Sequence, residues 1–424
     1  MDRPAPELGL AVLRAFLREK SLLGPMRVMA GRIGRFFQIP LPGFRPYVVF
    51  GPEAVRQVLV TERHKLLWRN HDPVTDLLRH GVLVTDGAEH DHCRSLMEPV
   101  LHPAALGGYT QIIIATTDRI CSSWRDGQRV DMLVEARKIA LLIIMQALFS
   151  VDARDDLTRL WTPILKAIEY ISPGAWILWR KIPRPGYKKH LRVVDEYLFG
   201  IIHERRREAG KHDLLQHLID AGLDDDLIRD QMLTMLIAGH DTSTALLAWV
   251  FVLLGQNPEI HAQLVREVDS LEKSPLLDQV IKEALRLYPP IHIGNRVVAD
   301  EMDFGDGRKV PAGGRMFYSI YLTQRDPAIW EAADEFRPER FARGRKTPPM
   351  SYIPFGGGPR ACIGAAFGQA EARLVLTRLL QGFTFEPLDM DKIHAHMGAT
   401  LEPRPAVRMK ATRRTLPQED TKIP

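Results

Sequence analysis

Near the C-terminal end of the chain, Phe355-Gly-Gly-Gly-Pro-Arg-Ala-Cys-Ile-Gly364 sets one cysteine, Cys362, in a glycine-rich run just ahead of a stretch (365–374) with helix-forming composition. Glycine and proline keep the backbone open there. The free N–H groups and the dipole of a helix N-terminus favour a thiolate, and Arg360 adds a cation two residues away. A thiolate so presented can ligate a metal or act as a nucleophile, and a structural cysteine in a turn is the plainer reading.

Three other groupings could do chemistry or support it. Ala238-Gly239-His240-Asp241-Thr242-Ser243 interrupts an apolar helical run with an acid, two hydroxyls and a glycine. Ala238 and Thr242, four apart, share one helix face, and an acid beside an alcohol suits proton delivery. Read structurally, the same residues are a kinked core helix, because Ser or Thr bonds backward to a carbonyl. Glu283-Ala-Leu-Arg286 is an i,i+3 ion pair, worth only ~0.2–0.5 kcal/mol on a surface. Gly87-Ala-Glu-His90-Asp-His-Cys-Arg94 places His90 and Arg94 one turn apart. A zinc site from His90, His92 and Cys93 lacks a second ligand pair at the needed spacing.

The spacing of Phe355, Gly358, Arg360, Cys362 and Gly364 resembles the haem-ligand loop of the cytochrome P450 family, with every signature position filled. The resemblance runs from about Phe37 to about Arg404. It implies a mainly α fold with small β-sheets, a single triangular prism with haem b (iron-protoporphyrin IX) between a long central helix and the cysteine loop. Cys362 would be the axial thiolate of the iron, with Phe355, Gly356, Arg360 and Gly364 around it. Ala238 would line the oxygen groove, Thr242 would hydrogen-bond dioxygen, and Asp241 would feed protons from solvent. His90, Arg94 and Arg296 would bind the haem propionates through charge-assisted bonds. Many soluble members carry histidine where this chain has Arg360, and arginine keeps the propionate contact. Glu283 and Arg286 would be buried and joined by Arg340 of Phe336-Arg337-Pro338-Glu339-Arg340-Phe341, bracing the cysteine loop.

The implied activity is a monooxygenase acting with O₂ on a lipophilic small molecule of fatty acid, terpenoid, steroid or carotenoid type. With no dinucleotide fingerprint, flavin motif or iron–sulfur cysteine set in the sequence, electrons would come from a separate ferredoxin-type donor with its reductase. A peroxygenase or isomerase, and a non-catalytic haem sensor, are the alternatives; Asp241 and Thr242 count against each. Substrate would meet residues 67–85, 165–200, 290–294 and 397–400, with Arg69, His71, Asp72 and His292 as candidate polar anchors.

The elements that must position these groups follow from periodicity and turn chemistry. Residues 37–41 and 47–50 form a hairpin about Pro42-Gly43. Long helices are expected over 110–151 and 156–209, the second interrupted at Pro173-Gly174 and Pro183–Gly186. Asp224-Asp225-Asp226 opens a helix from about 227 to 256, roughly 45 Å long at 1.5 Å per residue. Helices over 259–271 and 275–287 follow, then short strands near Asp306-Gly307 and Pro311–Gly314.

The chain has 424 residues, 45% of them hydrophobic, and no linker, repeat or charge block divides it. A partly helical segment 1–36, a catalytic domain 37–410 and a flexible tail 411–424 are expected. Three well-separated cysteines argue for a reducing cytoplasm. There is no apolar run of the length of a transmembrane anchor, and the scattered basic residues, net +5, exclude a nucleic-acid partner on motif grounds. Leu10, Leu13 and Leu17 recur at helical spacing with Arg14, Arg18 and Lys20 opposite. Such a helix packs on its own domain or lies at a membrane surface; packing is the expectation.

Overall fold

The computed structural model describes residues 6–19, 21–39, 45–68, 73–172, 186–208, 210–270 and 274–414. The helix Asp225–Gln256 forms the centre of the fold, and nearly all its side chains from Ile228 to Leu254 are buried. The Asp224 carboxylate accepts from the Leu227 N–H (2.8 Å), and Asp225 and Asp226 occupy the first turn. That cap and those charges complement the N-terminal dipole. Among the described residues this helix alone is long and apolar enough to cross a membrane, but 83% of its most apolar window is buried inside the fold.

Around the central helix pack Met132–Phe149, Lys188–Arg207, Pro275–Leu287 and Ala365–Gly382. Gly239 has a packing role. A Cβ there would meet the Ile144 Cδ1 at 2.6 Å, so the glycine lets Met132–Phe149 approach closely. The central helix is continuous through it.

Five strands form the larger sheet, in the order Phe36–Gln38, Tyr47–Val49, Arg315–Ser319, Ile293–Val298, Leu66–Leu67. Its first two strands pair antiparallel with Phe36 opposite Val49, while Tyr47–Val49 runs parallel to Arg315–Ser319. The hairpin is as expected; residues 40–44 of its connection lie outside the described residues, as does the loop 173–185.

Three expectations are corrected. Residues 110–151 are two helices, Thr110–Ser122 and Met132–Phe149, separated by the strand Gln128–Asp131. Gly127, at φ +67°, reverses the chain before that strand. Residues 411–413 are no tail: Arg408–Arg413 is the middle strand of a three-stranded sheet with Ala411 fully buried, and residues 415–424 of the expected tail lie outside the described residues. Residue 36 is no packing boundary either. Leu23, Met26 and Met29 of the helix Leu23–Ile33 share a core with Phe37, Val48, Tyr321 and Leu401.

Candidate active site

The cysteine loop is held by its own backbone. The Cys362 N–H donates to the Phe355 carbonyl (2.8 Å) and the Ala361 N–H to the Gly358 carbonyl (2.9 Å). Gly358, at φ +66°, has no room for a side chain, since a Cβ would lie 2.3 Å from the Leu59 carbonyl oxygen. The thiol lies three residues before the helix Ala365–Gly382 and is open to solvent, although protein encloses it on most sides. Desolvation pushes its pKa up, while the Gly364 N–H and the Arg94 charge pull it down.

Within the buried stretch of the central helix, only Ala238, Gly239 and Thr242 keep solvent access. They lie together on one face. The Thr242 hydroxyl donates to the Ala238 carbonyl (2.7 Å), which leaves its lone pairs free to accept. One residue on, the Ser243 hydroxyl donates to Glu371 (2.6 Å). That bond clamps the central helix to the helix leaving the cysteine loop. Burial pushes the Glu371 carboxyl up to about 8, against the Ser243 bond.

Asp241 faces elsewhere. It is buried, its Oδ2 accepts from the Thr400 hydroxyl (2.7 Å) and its Oδ1 has no protein partner. Burial raises its pKa to about 6; the Thr400 bond, Arg137 and Arg404 oppose this, and Glu402 adds to it. An acid poised there gives up and regains a proton near neutral pH. His240 is buried too, with neither ring nitrogen bonded, and burial beside Arg137 lowers it to about 3. It is a neutral core residue.

Arg94, Arg296 and Arg360 gather around the loop. Arg94 donates to the Ala361 carbonyl (2.9 Å). Arg360 donates to the Thr85 carbonyl and to Asp86 (2.7 Å). Arg296 and Arg360 both stack on the Trp68 ring, at 4.4 and 5.5 Å from its centroid. Burial lowers the Arg360 pKa, opposed by Asp86 and aided by Arg296. His90 is buried, with Nδ1 2.8 Å from Asp91, and burial lowers its pKa against that contact. Such a concentration of guanidinium groups beside one open thiol, with Asp86 and Asp91 as the opposing charges, suits a ligand carrying carboxylates and a metal.

Behind the loop, Glu283 and Arg286 are both fully buried and paired at 2.7 and 2.8 Å. Arg286 also donates to the carbonyls of Gln324 (2.9 Å) and Ala333 (2.7 Å). Arg340 reaches Glu283 at 3.3 Å. Gln324 carries the network forward by accepting from the Ile353 N–H (2.8 Å), two residues before Phe355. Glu283→Ala leaves a buried guanidinium without its carboxylate, so a loss of about 3–5 kcal/mol is expected. Chemical denaturation of the holoenzyme measures it. A loss below ~0.5 kcal/mol, that of a surface pair, would refute the buried-network account.

Local spacing marks neither Gln324 nor Glu371, and Trp68 and Thr400 fall only within the segments 67–85 and 397–400 expected to meet substrate. Arg69, His71 and Asp72 lie outside the described residues. His292 is buried, and burial lowers its pKa to about 4.

An exposed thiol just before a helix, with Arg94, Arg296 and Arg360 gathered about its loop, suits the ligand of a haem iron, and relatives of the chain give the family. The family model for cytochrome P450 matches residues 2–408. Curated relatives include cyclooctat-9-en-7-ol 5-monooxygenase of Streptomyces melanosporofaciens, 31% identical over 84% of this chain and 83% of that protein. Pentalenene oxygenase of Streptomyces avermitilis is 30% identical over 87% of this chain and 88% of its own. A cyanobacterial cytochrome P450 with retinoic acid bound shares the fold at a TM-score of 0.83 and 24% identity, covering 92% of this chain and 94% of that one. The chain belongs to the cytochrome P450 family. It is a haem-dependent monooxygenase.

Proposed function

We propose that this enzyme inserts one atom of O₂ into a terpenoid-type lipophilic molecule, with Cys362 as the haem thiolate and with electrons from a separate ferredoxin-type donor. What carries the reading is the solvent access of Ala238, Gly239 and Thr242 on an otherwise buried helix, clamped through Ser243 and Glu371 to the helix that follows Cys362. The two relatives named for oxidation of cyclooctat-9-en-7-ol and pentalenene support the substrate class.

In this reading haem supplies the activation of dioxygen. Arg94, Arg296, Arg360 and His90 hold its carboxylates. Phe355, Gly356 and Gly364 shape the loop around the thiolate, Ala238 lines the groove, and Glu283, Arg286 and Arg340 keep the loop rigid. Thr242 Oγ1 accepts or passes a proton within the groove, and Asp241 supplies that proton after releasing Thr400. The three cysteines are unpaired, which supports a reducing, cytoplasmic setting. Purified enzyme should convert terpenoid hydrocarbons with O₂ and a reductase–ferredoxin pair. Equal conversion by peroxide alone, or none with either oxidant, would contradict the reading.

Arg343, Arg345 and Lys346 are exposed in the coil before the cysteine loop. They offer an acidic donor a docking surface, and opposite charges speed encounter. Reversing all three charges should slow haem reduction by ferredoxin at low salt and matter little at ~1 M, where the Debye length is ~3 Å. A reduction rate indifferent to both changes would place the donor elsewhere.

A further inference from the structure

The helix Pro6–Glu19 turns its bulky apolar residues away from the protein. Leu10 (48%), Leu13 (52%), Phe16 (43%) and Leu17 (64%) are exposed, half of all the large apolar side chains exposed among the described residues. The side that packs is the smaller one: Ala15 is buried and Val12 rests against the core that holds Leu23, Met26 and Met29. The helix packs on its own domain, as expected, but through Ala15 and Val12 and not through its leucines. Arg14 and Arg18 are exposed on the same helix, Arg18 bonded to Glu19 at 2.9 Å. The first fifty residues hold eight Lys and Arg against three Asp and Glu, an excess equal to the net +5 of the whole chain.

We propose that this helix is a peripheral lipid-binding element that seats the enzyme on the anionic surface of a bilayer. Fourteen residues span about 21 Å as a helix, short of the ~30 Å hydrocarbon core. The helix therefore lies in the interface, with leucines and phenylalanine among the acyl chains and arginines at the headgroups. A second copy of the chain suits the face less well. One 14-residue helix presents a strip well below the ~800 Å² per partner of a stable protein interface. Two copies meeting there would also bring their excess positive charge together. The inference stands independently of the oxygenase reading, since no α-helical residue named here belongs to the candidate active site.

The test is flotation of the full-length holoenzyme with vesicles of phosphatidylglycerol and phosphatidylcholine, against vesicles of phosphatidylcholine alone. Binding to the anionic vesicles is expected to be at least tenfold stronger and to weaken with salt. Leu13→Glu with Leu17→Glu should abolish it, and Arg14→Glu with Arg18→Glu should weaken it about tenfold, each leaving the haem spectrum unchanged. Absence of binding to anionic vesicles would overturn the proposal, as would binding that survives the leucine substitutions. Equal binding to neutral vesicles would overturn the anionic preference. A dimer in sedimentation that the leucine substitutions dissociate, without lipid binding, would assign the face to a second copy.

Discussion

Replacing Asp241 by asparagine should cut the rate of product formation about 100-fold while haem and substrate still bind, since a positioned general acid contributes roughly 10²–10⁴. The carboxyl sits within the fold beside the groove residue Thr242, engaged by Thr400 and open at Oδ1. Thr242→Ala, which removes the groove hydroxyl, should divert electrons into peroxide or water and lower product per electron several-fold. If product per electron is unchanged in Thr242→Ala, the hydroxyl serves only its bond to Ala238. A stability measurement checks the acid independently of turnover. Asp241 has a folded-state value raised from 3.8 to about 6, so the folded chain holds that proton more tightly than the unfolded one. Wild-type stability from this group is then greatest below pH ~4, falls as pH rises through ~6 and levels off above, a loss on the order of 3 kcal/mol for two pKa units. Asp241→Asn removes the penalty. It should unfold at higher denaturant than wild type at pH 7.5 and show no such advantage at pH 4; an advantage equal at both values would mean that Asp241 is not protonated by burial.

The parts of the site legible in the sequence are those whose geometry is local. The cysteine loop needs a fixed order of glycines before one thiol, and a pair three residues apart on a helix, such as Glu283 and Arg286, meets wherever that helix lies. The illegible parts are contacts between distant segments. Thr400 lies 159 residues from Asp241, and no local pattern marks it as the partner. Trp68 became a platform for Arg296 and Arg360 only when two strands of one sheet met. The N-terminal helix shows a third limit. Periodicity identifies an apolar face, but Val12 and Ala15 also fall on one face, and the fold packed the smaller of the two. The strand Gln128–Asp131 was hidden because four residues between long helices carry too little periodic signal.

The second large effect concerns Cys362. It is the one exposed cysteine of the three. Burial pushes Cys121 up to about 12 and raises Cys93 as well, which leaves both as protonated core thiols. A thiolate ligand tunes haem iron as no hydroxyl does, so Cys362→Ser should remove the thiolate signature entirely. Cys93→Ser and Cys121→Ser should keep it, at some cost in stability. The absorption spectrum of the reduced carbon monoxide complex is the most direct measurement. Wild-type enzyme should show the long-wavelength band of thiolate ligation, and Cys362→Ser should lose it while both other serine variants retain it. A long-wavelength band that persists in Cys362→Ser would contradict the assignment of this loop as the haem-binding centre.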